Sequence, residues 1–295
     1  MTSCGTIFSY WSKDWNTDYF EVLRNAVKAD INCVEFHIGQ TIDWADNKIE
    51  DFKNLAKDLG IEILFSGGLD QGMVTWSADS SVRRKGIEHI IKLLRHAARF
   101  GVSFLGGGFS EAWPSNPGRI LAISEKKAML NRVVESIRAM VPAAADLGIT
   151  MSLEIVNRFE AFLVNTGKEA RYIADAIDHP NFKITMDTFH MNIEEDSIAD
   201  CIDTVGKKYL GHVHLGEANR KLPGQGKQID WDKVFGGLRT IGYDKRFIME
   251  PFVIPEGIIA QNVFLWRDLS DGADKEHLTA ELKKAVAFIK SKFKN

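Results

Sequence analysis

An eight-stranded α/β barrel, the (β/α)8 or TIM barrel, is the fold this sequence predicts, and three observations predict it. Short apolar runs rich in β-branched residues recur eight times, each followed by a longer stretch with helical periodicity. Several of those stretches end in a glycine just before the next strand (Gly60, Gly101, Gly148, Gly242), where a left-handed C-cap suits glycine best. The 295 residues divide into units of about 37, which fits a barrel of roughly 250 residues with loop insertions.

The expected strands cover 6–9, 33–38, 62–66, 103–107, 150–156, 183–189, 211–215 and 247–252. Helical patterns such as DYFEVLRNAVKA, KIEDFKNLAKDLG, SSVRRKGIEHIIKLLRHAARFG and KKAMLNRVVESIRAMVPAAADLG lie between them. No Pro/Ser-rich linker or shift of composition divides the chain, so residues 1–295 are expected to form one catalytic domain. A doubly wound open sheet is the alternative, but it would want a glycine phosphate-binding turn after the first strand. Residues 9–15 read SYWSKDW instead, GGGF at 106–109 does not complete GxGxxG, and neither GxxxxGK[ST] nor HExxH occurs. The C-terminal stretch EHLTAELKKAVAFIKSKF is amphipathic and is expected to close the barrel rather than to bind a partner.

A net charge of −3 argues against a nucleic-acid partner, which normally meets a strong basic excess. Three scattered cysteines (Cys4, Cys33, Cys201) fit no zinc or disulfide spacing and read as reduced thiols of a cytoplasmic protein. The N-terminus lacks the basic and apolar regions of a signal peptide, and no run reaches the eighteen or so apolar residues a membrane helix needs.

The two-residue period of a strand sorts the side chains of the last four strands into two faces. Met151, Leu153, Ile184, Met186, Val213, Leu215, Phe247 and Met249 form an aliphatic face suited to packing under the outer helices. The opposite face points into the barrel and carries Glu154, Asp187, His214 and Glu250 near the carboxyl ends of consecutive strands, where barrel enzymes build their sites. These four are separated by 33, 27 and 36 residues, each about one βα repeat, so they converge. Three carboxylates and an imidazole in one small volume call for a counter-charge, and no lysine or arginine lies in phase on these strands near that end. A divalent cation meets the need; the oxygen-rich set suits Mn²⁺, Mg²⁺ or Co²⁺. Any one inward acid is ordinarily a structural hydrogen-bonding residue. His212, one layer deeper than His214, is read that way or as a support for the ligands. Glu35 on the second strand faces the pocket without an assignable task.

Longer words then become recognisable. LEIVNRFE (153–160), MDTFHMNIEED (186–196), GHVHLGEANRKLPGQG (211–226), IMEPFV (248–253) and LWRDLS (265–270), with YWSKDW and AWP at 112–114, resemble the D-tagatose 3-epimerase and D-psicose (D-allulose) 3-epimerase family of xylose-isomerase-like barrels. The resemblance implies metal ligation by Glu154, Asp187, His214 and Glu250, the set the phase argument selects. It implies sugar contacts from Glu160, His190 and Arg220, with Trp113 and Trp15 packing against the sugar, and a homodimer or homotetramer. The remaining acids of the second word, Glu194, Glu195 and Asp196, are expected as surface or helix-start charges. Departures from the family pattern fall at GTIFSYW, at Ser66-Gly67-Gly68 and Gly108, and at IPEGIIAQN, which lacks a common GG pair. They surround the pocket beyond the reacting carbons.

The chemistry these residues suit is removal of a proton α to a ketose carbonyl and its return from the other face. Glu154 and Glu250 are assigned as the acid/base pair, each also a ligand, with Mn²⁺ as the expected ion. His190 and Arg220 would orient hydroxyls near the carbonyl and Glu160 would anchor a neighbouring one. An aldose–ketose isomerase remains open, because the same enediolate chemistry shifted by one carbon gives it. A non-catalytic sugar-binding barrel also remains open. An endonuclease-IV-like phosphodiesterase would want more histidine ligands and a basic groove.

Overall fold

The computed structural model describes residues 3–294. Eight strands follow one another in sequence order around a closed barrel: β1 Cys4–Ile7, β2 Cys33–His37, β3 Glu62–Ser66, β4 Phe104–Gly107, β5 Thr150–Glu154, β6 Phe182–Asp187, β7 Leu210–Leu215 and β8 Phe247–Met249. The helices are α1 Tyr19–Lys28, α2 Asp46–Asp58, α3 Ser80–Arg99, α4 Ile123–Asp146, α5 Gly167–Ile177, α6 Thr188–Glu194, α7 Ile198–Tyr209, α8 Trp231–Thr240, α9 Gly257–Asn262 and α10 Lys275–Lys294. The glycines expected to end helices do so: Gly60, Gly101, Gly148 and Gly242 all have φ between +67° and +70°.

Contacts divide the chain into two compact units, Met1–Leu64 with Val213–Asn295, and Phe65–His212. In the first, β1 lies between β2 (Gly5↔Cys33) and β8 (Gly5↔Ile248), and the end of β7 pairs with β8 (His214↔Ile248). Beneath α1 and α2 an aromatic cluster packs edge to face, with Tyr19 5.3 Å from Phe8 and Phe36 5.2 Å from Phe52. The apolar stripe of α10 (Leu278, Leu282, Ala285, Val286, Ile289) is buried, as its amphipathic pattern anticipated. In the second unit, β4 pairs with β3 (Phe65↔Leu105) and β5 (Leu105↔Met151), and β5 with β6 (Leu153↔Ile184). On the inward face of β5 and β6 the Ser152 and Thr185 hydroxyls share a hydrogen bond of 2.7 Å.

Strand ends differ from those expected, for local reasons. β1 covers 4–7 rather than 6–9, because Phe8 and Ser9 already turn into a 3₁₀ helix, Phe8–Trp11. β6 stops at Asp187, whose carboxylate caps α6 by accepting the Phe189 N–H at 2.8 Å. β8 stops at Met249 because Pro251 has no N–H to continue the ladder. Glu250 therefore lies one residue past the strand, with its N–H still bonded to the Leu215 carbonyl at 3.1 Å. β5 ends at Glu154; two residues later the chain peels away, where the Val156 N–H bonds the Val164 carbonyl. Among the described residues no helix is long and apolar enough to cross a membrane.

Gly107 closes β4 at φ +125°, and a Cβ there would run into the Gly67 carbonyl. Gly107→Ala is expected to destabilise the protein by at least about 2 kcal/mol, read as a lowered urea midpoint with an unchanged slope.

Candidate functional site

His214 sits on β7 with its imidazole 4% exposed, and both ring nitrogens face carboxylates. Nε2 lies 3.2 Å from Glu35 Oε2, and Nδ1 lies 3.4 Å from Glu250 Oε2. A neutral imidazole carries one proton. When Nε2–H donates to Glu35, Nδ1 and Glu250 Oε2 are two acceptors facing each other. A cation is what such a pair accommodates. Glu35 is 2% exposed and stands on β2 in the same inward phase as the other acids. Its contact with Nε2 braces the ring of His214 and favours the Nε2–H tautomer.

Arg220 reaches the same carboxylate, with Nη1 3.2 Å from Glu250 Oε2. This qualifies the expectation that no basic side chain approaches the acids. The strands bring none, but the turn after β7 does. That turn is tight, with the Arg220 N–H on the Glu217 carbonyl, the Glu217 N–H on the Lys221 carbonyl, and Arg220 at φ +65°. Buried Glu217 braces it by accepting from Gly224 N (2.7 Å) and Trp231 Nε1 (2.8 Å). The Arg220 guanidinium also lies over Phe252, 5.2 Å from the ring centre, and Phe252 packs on Trp15 at 6.1 Å. Trp15 is held by its Nε1–H on Asn262 Oδ1 at 2.7 Å.

Glu154 and Asp187 end β5 and β6. Asp187 is fully buried; one oxygen is engaged by the Phe189 N–H, and the other lies 3.6 Å from His190 Nε2. His190 Nδ1 accepts the Asn157 Nδ2–H at 2.7 Å and lies 3.3 Å from the Asn157 backbone N–H, so its own proton belongs on Nε2. Asn157, 1% exposed, also donates to Glu160 Oε1 at 2.8 Å, while Trp113 Nε1–H donates to Glu160 Oε2 at 2.7 Å. Three expected sugar contacts, Trp113, Glu160 and His190, are thus tied together through Asn157. Only the NRFE word marked Asn157 in the sequence, and it gave no hint of this task.

One ligand atom from each of Glu154, Asp187, His214 and Glu250 lies within 4.8 Å of the others. Ligands trans across an ion bonded at roughly 2.1 Å stand roughly 4.2 Å apart, so the cluster has the dimensions of a single divalent site. Glu35, His212 and His214 form a second such group. His212 is fully buried with its ring 4.6 Å from Phe104, a packed environment in keeping with a supporting role. The thiols stand apart: all three are free and buried, and burial pushes Cys4 up to about 11.

The three acids expected as surface or helix-start charges divide, and only Glu194 is neither. Glu194, with a side chain 5% exposed, accepts from the backbone N–H of Arg158 at 2.7 Å and from its guanidinium at 2.7 and 2.9 Å. Glu195 accepts the Gly167 N–H at the start of α5 at 2.7 Å. Asp196 is exposed, as expected.

Comparison with known proteins finds relatives of the same fold. The family described as xylose isomerase-like TIM barrel matches residues 23–272. A D-psicose 3-epimerase of Ruminiclostridium cellulolyticum is 35% identical over 96% of this chain and 95% of its own length. One of Agrobacterium fabrum is 34% identical over 96% of both chains. The crystal structure of D-psicose 3-epimerase with D-tagatose from Clostridium cellulolyticum H10 superposes with a TM-score of 0.93 at 34% identity, over 99% of each chain.

Removing the brace on His214 tests the donor geometry. Glu35→Ala is expected to weaken Mn²⁺ binding roughly 10- to 100-fold, read by isothermal titration of the EDTA-stripped protein, whereas Glu35→Gln, which can still accept from Nε2–H, loses less.

Proposed function

The chain belongs to the family of xylose-isomerase-like TIM barrels, and from that premise we propose that it is a metal-dependent ketose 3-epimerase acting on free ketohexoses. The substrates would be the D-fructose/D-psicose and D-tagatose/D-sorbose pairs, with L-ribulose/L-xylulose as a further pair. One observation carries the reading: the cluster of ligand atoms contains two glutamates, Glu154 and Glu250, from strands three apart in the barrel order. Epimerisation at C3 asks for that provision, one carboxylate to take a proton and another to return one.

Glu154, Asp187, His214 and Glu250 are the residues that would hold the ion, with Mn²⁺ preferred and Co²⁺ or Mg²⁺ as substitutes. Once bound, the ion polarises the ketose carbonyl and offsets the negative charge that develops on its oxygen. One glutamate accepts the proton from C3, and the C–H electron pair moves into C2–C3 as the C2 oxygen takes up charge. The other glutamate delivers a proton to the opposite face, so the sugar is neither oxidised nor reduced. His190, with its Nε2–H, and Arg220 orient hydroxyls near the carbonyl, and Glu160 anchors a neighbouring one. Trp113 and Trp15 supply apolar walls. Residues 1–295 act as one catalytic domain in this reading, in a reducing cytoplasm that suits the three free thiols. Exposed Phe264 and Trp266, 6.4 Å apart, support a homodimer or homotetramer.

The decisive experiment incubates EDTA-stripped protein with D-fructose in D₂O, with and without Mn²⁺. Deuterium entering C3 together with psicose, only when Mn²⁺ is present, is the expected result. Exchange at C1 with aldose formation would instead make the protein an isomerase, and no exchange with fructose, tagatose or ribulose would overturn the activity.

Glu154→Gln and Glu250→Gln are each expected to lower kcat for D-fructose epimerisation by roughly 10²- to 10⁴-fold. A sugar-binding barrel without catalysis would keep its ligand affinity in both variants.

A further inference from the structure

Glu111 takes no part in the chemistry above, yet its carboxyl is buried, 5% exposed, in the segment that leads from β4 to Trp113. That segment is pinned at its start by bridges Val74↔Glu111 and Leu69↔Ala112 and by the Thr75 N–H on the Ser110 carbonyl at 3.0 Å. Glu111 Oε1 accepts the Leu163 N–H at 3.1 Å, which ties the segment after β4 to the segment after β5. Two further ties join the same segments: Trp113 Nε1–H on Glu160, and the Ser115 N–H on the Glu160 carbonyl at 2.9 Å. Glu111 Oε2 is buried without a hydrogen-bond partner.

We propose that Glu111 is a positioning residue: its buried carboxyl straps the β4 and β5 exit segments together and so sets Trp113 against Glu160 where the sugar would be held. The part that concerns sugar rests on the epimerase reading; the strap itself does not. Burial pushes the Glu111 carboxyl up to about 7, against the pull of donors at Leu163, Ser115 and Phe162 and the charge of Lys126. The ordinary value is 4.5, so the folded protein keeps this proton while the unfolded chain has lost it. The strap's contribution is therefore full below about pH 4.5 and falls as pH rises to about 7. Above that, a charge is held in a buried site whose desolvation outweighs its donors, and the two segments loosen.

Other charged groups border the same corner. Lys126 on α4 pairs with Glu169 at 2.6 Å, His190 and Glu160 meet through Asn157, and His89 lies 3.6 Å from Asp70, beside the Gln71 side chain that donates to the Trp113 carbonyl at 2.9 Å. A test must isolate Glu111 from these. The ¹⁵N–¹H indole signal of Trp113, assigned by its loss in Trp113→Phe, would be followed from pH 5 to 9 in the full-length metal-loaded protein. A step with its midpoint near 7 in the native protein, absent in Glu111→Gln, is expected, together with a KM for D-fructose that rises across the same step only in the native protein. A step that persists in Glu111→Gln would assign it to a neighbouring group and overturn the proposal. Glu111→Leu, which deletes the acceptor for Leu163, is expected to shift the indole signal at every pH and raise KM roughly tenfold with kcat nearly unchanged. An unmoved indole signal and KM in a folded Glu111→Leu protein would also overturn it. Should Glu111→Leu fail to fold, the Glu111→Gln titration decides alone. Loss of the indole step in a protein that turns over no ketose would leave the strap standing and refute the epimerase reading instead.

Discussion

The arrangement depends on one electrostatic constraint: three carboxylates and an imidazole drawn within 4.8 Å of each other at one end of a barrel. In a medium of low dielectric such charges repel strongly unless something positive lies among them. The surrounding residues read as preparation for that something. In the tautomer where His214 Nε2–H donates to Glu35, Nδ1 presents its lone pair toward Glu250. The Phe189 N–H occupies one oxygen of Asp187, and the other faces His190 Nε2 at 3.6 Å. Arg220 touches a single oxygen of Glu250. At these three ligands, fixed partners engage some of the polar atoms, and so the remaining atoms point where they do without searching.

Most of this was legible in the sequence because it is periodic. A strand alternates strictly, so a residue's parity decides whether it looks inward, and four acids or histidines of equal parity on successive strands identify the cluster. Glu35 obeyed the same rule. Its role stayed hidden because parity gives direction but not distance, and only the structure brings its carboxylate to His214 Nε2. The glycine helix stops were legible for a comparable reason, since a left-handed residue after a helix leaves few choices of amino acid.

Loops carry no period, and that is where the sequence reading failed. The acids of MDTFHMNIEED looked like surface or helix-start charges; Glu195 does hold the start of α5, yet the Glu194 side chain is covered by both the backbone and the guanidinium of Arg158. Nothing in a run of acids distinguishes one that meets water from one that meets an arginine 36 residues away. Arg220 was assigned to the sugar by resemblance. Its ion pair with Glu250 could not be read from spacing, since it depends on a turn with φ +65° at the arginine itself. Asn157 and Glu111 belong to the same class: each joins segments whose separation in space is set by loop conformation.

This division bears on how such a barrel can change what it acts on. Ladder hydrogen bonds hold Glu154 beside Asp187 at the ends of β5 and β6, and His214 beside Glu250 at β7 and just past β8, so placement within each pair is stiff. The groups expected around the rest of the sugar ride on irregular segments held by a few side-chain bonds, among them Trp113 on Glu160 and Trp15 on Asn262. A substitution in those segments can move a wall of the pocket while leaving the ladder, and with it the ligand set, in place. The departures expected from the family pattern, at GTIFSYW, Ser66-Gly67-Gly68, Gly108 and IPEGIIAQN, contain none of the four cluster residues. Preference among ketoses should therefore follow the bonds that hold these segments rather than the cluster. Those bonds are few, so preference is the property most open to change by single residues.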